Sequence, residues 1–207
     1  MRALKTTTNA ERGPALHPVP RLCDDPRAIL VIDFAAFSRL PDASIPIFHE
    51  CVMRPVAEVM AEHEDGRLYD NSWGDAIIAV FEDASRAAHF SLDLQDRLAC
   101  MPFAALGLPA TLRPRIAGDY GRTWQGYDFV RKELTFYGVH VTRAARLEPV
   151  TPPGAVYVTE SFAEAASADR ALACRYVGEI ATAKNFGVLG AFELTRAPEA
   201  SWTAPRS

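Results

Sequence analysis

The chain has 207 residues, of which 49% are hydrophobic, and this is enough for a single domain with a substantial core. Its 22 basic and 26 acidic residues give a formal net charge of −4, so neither a nucleic acid nor an anionic membrane is an expected partner. The four cysteines form no Cys-x-x-Cys pair and no stretch is typical of a membrane span or a signal peptide, so we expect reduced thiols and a cytoplasmic protein.

Composition divides the chain into one domain and two ends. Residues 1–26 and 197–207 are polar, contain proline and lack hydrophobic periodicity, so we predict a flexible N-terminal arm and a flexible C-terminal tail. The domain is predicted to span residues 27–196. No internal repeat interrupts it, so one fold must organise the chain.

The first predicted elements are a strand and a helix. The apolar run Arg27–Asp33 indicates a buried strand that ends in an aspartate. Ser44 can cap a helix that extends to about His63, with its apolar residues on one face and a kink at Pro55.

A hairpin follows over residues 69–81. Gly74 can adopt the backbone angles of a tight turn, and the run Ala76–Phe81 has the length and Ile/Val content of a buried strand. Asp75 comes directly after the glycine. Taken alone, the hairpin favours ordinary turn chemistry as the explanation of Asp75.

The later elements follow from the same patterns. The first is a helix capped by Asp83 and marked by Ala87, Phe90, Leu94 and Leu98, and it is followed by a strand from Leu112 to Ala117 and a hairpin from Trp124 to Tyr137 with its tip near Gln125-Gly126. The remaining elements are a helix from Val139 to Leu147, a strand from Gly154 to Val158, a helix from Glu160 to Ala166, and a closing hairpin of Arg175–Ile180 with Ala191–Leu194. This order predicts an α+β, ferredoxin-like core in which helices flank an antiparallel-rich sheet, with an added C-terminal part.

Asp33 and Asp75 stand at matching places, each at the end of a predicted buried strand. Two such carboxylates repel each other and are costly to bury unless a divalent cation lies between them. Oxygen ligands suit magnesium or manganese, and the chain offers no His/Cys cluster at zinc spacing. The pair therefore predicts a site for Mg²⁺ or Mn²⁺.

Ordered motifs of the chain resemble those of the class III nucleotidyl cyclases, over about residues 27–194. They are Asp33 with Phe37-Ser38, Trp73-Gly74-Asp75, Tyr137-Gly138, and Val141-Thr142-Arg143-Ala144-Ala145-Arg146-Leu147-Glu148. The resemblance implies that the 3′ oxygen of a nucleoside triphosphate attacks its own α-phosphorus and expels pyrophosphate. It also implies two divalent cations, held by Asp33, Asp75 and the backbone carbonyl of Phe34.

The resemblance assigns further roles to residues at matching positions. Arg146 stabilises charge at the α-phosphate, and Thr142 stands where most members carry an asparagine that positions the ribose. The turn that contains Phe37 and Ser38 offers backbone amides to the phosphates, and Arg131 and Lys184 contact the β- and γ-phosphates. The shorter threonine puts ribose anchoring in doubt, and Arg131 and Lys184 are equally compatible with ordinary solvated surface.

The base-reading positions hold Asn71 and Thr135, which match neither the adenylyl nor the guanylyl pattern. The Asn71 amide can read cytosine or uracil by flipping. The aromatic rings of Trp73 and Phe136 add volume that would exclude a purine and stack on a pyrimidine, although Trp73 can equally pack inside the hairpin.

The Asn-x-Trp-Gly-Asp form looks most like the stand-alone pyrimidine cyclases of bacterial antiphage (Pycsar) defence. Such enzymes make cyclic CMP or cyclic UMP, which activates a separate effector. In this family, the two metal aspartates and the arginine of one site come from opposite subunits. A homodimer with two shared sites is therefore the expected assembly.

Three alternatives stay open. The chain could be an adenylate or guanylate cyclase, or a catalytically inactive module that binds a nucleotide, which the threonine at position 142 favours. An RNA-binding module could share the ferredoxin-like core, but the acidic balance and the lack of an aromatic-rich RNA-binding strand oppose it.

Overall fold

Two sheets organise the chain in the computed structural model, which describes residues 19–198. The strands are β1 Arg21–Leu22, β2 Arg27–Ala35, β3 Arg67–Trp73, β4 Ala76–Phe81, β5 Arg113–Gly121, β6 Trp124–Asp128, β7 Glu133–Tyr137, β8 Val156–Thr159, β9 Leu172–Ala181 and β10 Val188–Arg196. The seven-stranded sheet has the order β3-β4-β2-β5-β8-β10-β9, and the three-stranded sheet has the order β1-β6-β7. Neighbouring strands pair antiparallel, apart from the parallel pair β5 and β8.

Helices cover the large sheet. They are α1 Ile45–Phe48, α2 Arg54–Glu62, α3 Ala84–Ala99, α4 Val139–Leu147 and α5 Glu160–Ala166. A π-helical turn, His49–Met53, joins α1 to α2, whose second residue is Pro55. Proline has no backbone N–H for the carbonyl four residues earlier, which explains why the α-helical pattern is interrupted there. In the described part of the chain, no helix combines the length and the hydrophobicity needed to cross a membrane.

The predicted fold class is confirmed. Strands β2 to β5, together with α1–α3, form the ferredoxin-like core in the spatial order β3-β4-β2-β5. The parallel strand β8 and the hairpin of β9 and β10 extend the sheet beyond β5 as the added C-terminal part.

Strand β2 is buried on both faces because its side chains alternate between two clusters. Ala28, Leu30, Ile32 and Phe34 belong to the main core with α2, α3 and α5. Ile29 and Val31 pack on the other face with Ala144 of α4 and Phe136 of β7. Asp33 follows Ile29 and Val31 on that second face. Burial of each large apolar side chain contributes about 1.5–3 kcal/mol to the stability of the sheet, which in turn positions Asp33.

The tip of the second hairpin was predicted incorrectly. Gln125 and Gly126 lie within β6, and the turn is formed by residues 129–132. The Asp128 carboxylate organises this turn by accepting bonds from the backbone amides of Val130 and Arg131 at 2.8 and 3.0 Å. Gly126 instead permits a close approach, because a Cβ atom there would lie 2.6 Å from the Tyr137 hydroxyl.

Residues 21–23, from the predicted N-terminal arm, pack against the domain. Arg21–Leu22 form β1 against β6, and the backbone amide of the buried Cys23 donates to the carbonyl of Thr123 at 2.8 Å. A two-residue strand is too short to produce hydrophobic periodicity, which is why the sequence did not reveal it. The remainder of the predicted arm, residues 1–18, and most of the predicted tail, residues 199–207, lie outside the described residues.

Candidate active site

Asp33 and Asp75 meet at one end of the sheet. Asp33 is near the end of β2, Asp75 follows Gly74 in the turn between β3 and β4, and β4 is the direct neighbour of β2. Gly74 has φ = 65°, the left-handed conformation that the tight turn requires. The backbone amide of Phe34 donates to Asp75 Oδ2 at 3.2 Å, which ties the turn to the end of β2.

The carboxylate of Asp75 is perturbed by its surroundings. Burial, followed by the neighbouring charge of Asp33, raises the pKa of Asp75 to about 6. Within residues 19–198 no group of three or more His, Cys, Asp and Glu side chains could hold a metal ion. Magnesium is nevertheless commonly bound by one or two carboxylates together with water and substrate phosphates, so this donor set fits Mg²⁺ or Mn²⁺ when a nucleotide supplies further oxygens.

A cavity of about 230 Å³ opens beside the aspartates. It is lined by Asp33, Phe34, Ala36, Phe37, Ser38, Arg39, Asp75 and Arg115. Ala36 has φ = 73° and leads into a 3₁₀ turn, Phe37–Arg39. The Phe37 ring packs on Phe48 with their centroids 4.7 Å apart, so the core anchors this turn. The structure thus brings the predicted metal residues and the predicted phosphate-binding turn together.

Arg115 and Glu148 complete this region, although no local sequence pattern assigned either residue a role. The Arg115 guanidinium donates to Asp33 Oδ2, and its Nε lies 2.8 Å from Glu148 Oε1. Burial raises the pKa of Glu148 to about 7, although the positive charge of Arg115 opposes the shift. Arg115 lies directly opposite Asp33 in the pairing of β5 with β2, a register that is apparent only once the strands are paired.

The predicted base-reading residues Asn71 and Thr135 are each bonded within the chain. Asn71 Oδ1 accepts a hydrogen bond from Arg131, which also pairs with Glu133. The Thr135 hydroxyl lies 3.5 Å from the Tyr69 hydroxyl. The structure therefore places Arg131 beside a predicted base contact, and Arg131 is not among the residues that line the aspartate cavity.

Trp73 and Phe136 have opposite environments. Trp73 is 90% exposed, which excludes the alternative that it packs inside the hairpin. Phe136 is 6% exposed and packs against Tyr69, with their ring centroids 5.9 Å apart. Strand alternation turns the Phe136 side chain inward, while Thr135 and Tyr137 are more accessible.

A second group of predicted residues lies on and around α4. Thr142 donates its hydroxyl hydrogen to the carbonyl of Gly138 at 3.1 Å, within its own helix. Arg146, in the last turn, is partly exposed, and its side chain has no ion pair or hydrogen bond within the described residues. Lys184 is exposed in a turn that contacts α4. Among the residues that the structure describes, no hydrogen bond or ion pair joins these three side chains to Asp33 or Asp75.

Helix α4 is attached to β5 near both of its ends. Near its start, His140 Nδ1 lies 2.9 Å from Asp119 Oδ2, and Asp119 is fully buried. Directly after its end, Glu148 pairs with Arg115. Gly121 makes room for the first contact, since a Cβ atom there would lie 2.2 Å from the His140 ring. These contacts fix the position of α4, which carries Thr142 and Arg146.

Solved structures of nucleotide cyclases are similar to this chain. The adenylyl cyclase CyaB from P. aeruginosa matches with a TM-score of 0.75 at 15% identity, over 88% of this chain and 98% of that one. The guanylyl cyclase Cya2 matches with a TM-score of 0.70 at 21% identity, over 90% and 98%. The guanylate cyclase domain of RhGC from Catenaria anguillulae, solved in complex with GTP, matches with a TM-score of 0.68 at 16% identity, over 84% and 98%.

No protein-family model and no curated protein sequence matches the chain. Structural similarity at this level of identity establishes the fold and leaves the chemistry to the residues themselves. The chain has the fold of adenylyl and guanylyl cyclase catalytic domains.

Proposed function

We propose that this chain, which has the cyclase catalytic-domain fold, is a nucleotidyl cyclase that converts a nucleoside triphosphate into a 3′,5′-cyclic nucleotide and pyrophosphate. The observation that carries the proposal is the meeting of Asp33 and Asp75 at one cavity, beside the turn of Phe37 and Ser38. Burial and the nearby charge of Asp33 raise the pKa of Asp75, and a pair of carboxylates in such a position is suited to bind a divalent cation.

Each part of this cavity has a task in the proposed reaction. Asp33, Asp75 and the Phe34 carbonyl would hold Mg²⁺ or Mn²⁺, which would lower the pKa of the 3′-hydroxyl and neutralise triphosphate charge. The turn of Phe37 and Ser38 borders the cavity, where it would orient the phosphates. The chain then has no need of a strong side-chain base, because orientation and charge stabilisation account for most of phosphoryl-transfer catalysis.

The position of Arg146 supports a site shared between two copies of the chain. Its guanidinium would stabilise charge at the α-phosphate, yet it has no bond to either aspartate of its own chain in the described region. A two-fold dimer that places α4 of one copy against the aspartate cavity of the other would complete both sites. Lys184 and Thr142, which lie on or beside α4, would join the same half of the site.

Exposed apolar side chains are available for such a dimer. They are Phe129, Val130, Leu134 and Tyr137 on the hairpin of β6 and β7, and Val139 at the start of α4. Apolar groups clustered on one part of a surface commonly mark a protein interface. The proposed homodimer buries this surface together with α4.

The hydrogen bond between Arg131 and Asn71 bears on which nucleobase the chain accepts. Because Arg131 donates to Asn71 Oδ1, the side-chain NH₂ group of Asn71 is left to contact a ligand. A donor suits O4 of uracil better than the amino group at the same position of cytosine. The exposed Trp73 ring supplies a face on which a base can stack. We therefore propose UTP as the substrate and cyclic UMP as a messenger for a separate effector in antiphage defence.

One observation favours a second candidate, a purine cyclase. Phe136 was expected to fill the space of the second purine ring, but it belongs to the core. The exclusion of purines then depends on Trp73 alone. Adenylate or guanylate cyclase activity is therefore the alternative to be tested beside the pyrimidine one.

Turnover of the four nucleotides tests both candidates. The purified chain is incubated with ATP, GTP, CTP or UTP, each with Mg²⁺ or Mn²⁺, and the cyclic products and pyrophosphate are separated and quantified. We expect cyclic UMP and an equal amount of pyrophosphate, and at least about a hundredfold less of both from the variant Asp75→Asn. Cyclic AMP or cyclic GMP as the main product would favour the purine alternative. Nucleotide binding without any cyclic product would contradict the enzyme and favour an inactive binding module.

A further inference from the structure

We propose that Arg115 is a built-in competitor for the cation at Asp33 and that Glu148 weakens this competition by offering Arg115 a second partner. The Arg115 guanidinium donates to Asp33 Oδ2, and its Nε lies 2.8 Å from Glu148 Oε1. One positive side chain therefore spans two carboxylates, of which one is a proposed cation ligand. The inference rests on the proposed function only in taking Asp33 and Asp75 as cation ligands.

The sheet holds the competitor in place. Asp33 and Arg115 are directly opposite each other on the neighbouring strands β2 and β5, and β2 is buried on both faces. Movement of the guanidinium away from Asp33 must therefore come from the Arg115 side chain and not from the backbone. A long arginine side chain can make that movement while its strand stays fixed.

Competition follows from the charges. A divalent cation on the Asp33 carboxylate would stand next to the Arg115 guanidinium, and like charges at such short range repel strongly. The side chains of Asp33 and Arg115 are only 26% and 24% exposed, so water screens this repulsion less than on an open surface. The cation must therefore displace the guanidinium from Asp33.

Glu148 lowers the free energy needed to displace the Arg115 guanidinium from Asp33. Its side chain is 9% exposed and already pairs with Arg115, so the guanidinium keeps a carboxylate partner when it leaves Asp33. Without Glu148, displacement would leave a partly buried positive charge unpaired, which is strongly unfavourable. Glu148 therefore acts on the cation through Arg115, as a positioning residue.

Cation binding without a nucleotide measures this directly. The dissociation constant of Mn²⁺ is determined by titration calorimetry on the full chain at about pH 8, above the pKa of Glu148, for the wild type and for Arg115→Gln, Glu148→Gln and the double variant. We expect Arg115→Gln to tighten Mn²⁺ binding roughly tenfold and Glu148→Gln to weaken it roughly fivefold. In the Arg115→Gln background, we expect Glu148→Gln to have little further effect on Mn²⁺ binding, because Glu148 acts through the arginine that this background lacks.

The matched control is Arg39→Gln. Arg39 lines the same cavity but has no ion pair in the described part of the chain, so its removal reports the general effect of one positive charge. If Arg115→Gln tightens binding no more than Arg39→Gln does, direct competition is overturned. An equal effect of Glu148→Gln in both backgrounds overturns the role of Glu148, because simple through-space attraction is additive.

Folding of each variant is checked by circular dichroism. If Arg115→Gln does not fold, Arg115→Lys is used instead, because a single ammonium group cannot span both carboxylates. We expect its affinity for Mn²⁺ to lie between that of the wild type and that expected for a chain without a positive side chain at position 115. A dissociation constant of Mn²⁺ that does not change when Arg115 is substituted would overturn this inference but not the proposed cation site. No Mn²⁺ binding by any variant or the wild type would overturn it together with the proposed cation site.

Discussion

The backbone amide of Phe34 donates a hydrogen bond to Asp75 Oδ2 at 3.2 Å and thereby joins the end of β2 to the β3–β4 turn. This bond orients the carboxylate of Asp75 towards that of Asp33, which is the residue before Phe34. The donor belongs to the backbone of a central strand, so the arrangement depends on the sheet and on few side chains. The proposed cation site is thus a direct product of strand pairing.

Substitution of Asp75 by asparagine tests this site. The amide oxygen can still accept the bond from Phe34, but the side chain cannot supply the negative charge that a divalent cation requires. We expect cyclase activity to fall at least about a hundredfold, with no loss of thermal stability. The control is Asp70→Asn on the same hairpin, whose carboxylate pairs with Arg67, and it should keep nearly full activity. Equal loss in both variants would argue against a special role for Asp75.

The pH dependence of cation binding has a defined sign. The pKa of Asp75 is raised to about 6 because the group is partly buried and close to Asp33. A cation binds the deprotonated carboxylate, so protonation below about pH 6 should weaken Mn²⁺ binding, whereas a carboxylate with an ordinary pKa would be affected only near pH 4. Calorimetric titration of Mn²⁺ at several pH values checks this. A dissociation constant that stays unchanged between about pH 5 and 7 would contradict the shifted pKa.

Trp73 and Phe136 should respond differently to substitution. Trp73 is 90% exposed, so Trp73→Ile should change the free energy of unfolding by less than about 0.5 kcal/mol while altering nucleotide preference. Phe136 is 6% exposed in the second core cluster, so Phe136→Ala should cost about 3–4 kcal/mol. Urea unfolding of both variants measures the difference. A large stability loss from Trp73→Ile would show that the indole packs within the fold.

Gly121 should be intolerant of a side chain. A Cβ atom at this position would lie 2.2 Å from the His140 ring and would push it away from Asp119. Asp119 is fully buried, so loss of this partner leaves a buried carboxylate with one contact fewer, and Gly121→Ala should cost about 2–4 kcal/mol. Gly190→Ala is the control, because its nearest neighbour is the flexible end of Glu179 at 3.3 Å. Similar stability of the two variants in thermal denaturation would count against the attachment of α4 through His140.

Local patterns predicted much of the fold and half of the site. The apolar run that ends in Asp33 and the glycine before Asp75 indicated two adjacent strands, and the structure brings these carboxylates together. The helix at residues 45–62 was predicted because its apolar residues recur at helical spacing. Each of these features is determined by residues close together in the chain.

Features that depend on distant partners were missed or misread. Arg115 reaches Asp33 only through the register of β5 with β2, which no local pattern encodes. Gly126 looked like a turn residue, whereas it accommodates the Tyr137 ring from the neighbouring strand. The burial of Phe136 in the second core cluster could not be read locally either, because the direction of an alternating strand depends on which of its faces another element covers.

Mixing two inactive variants tests the shared site most directly. Asp33→Ala removes a cation ligand, and Arg146→Ala removes the proposed α-phosphate contact from the opposite half of the site. Random exchange makes half of the dimers mixed, and each mixed dimer has one intact site of two. We therefore expect recovery of about one quarter of the wild-type specific activity. No recovery, with mixed dimers verified by mass spectrometry, would contradict a site built from two chains.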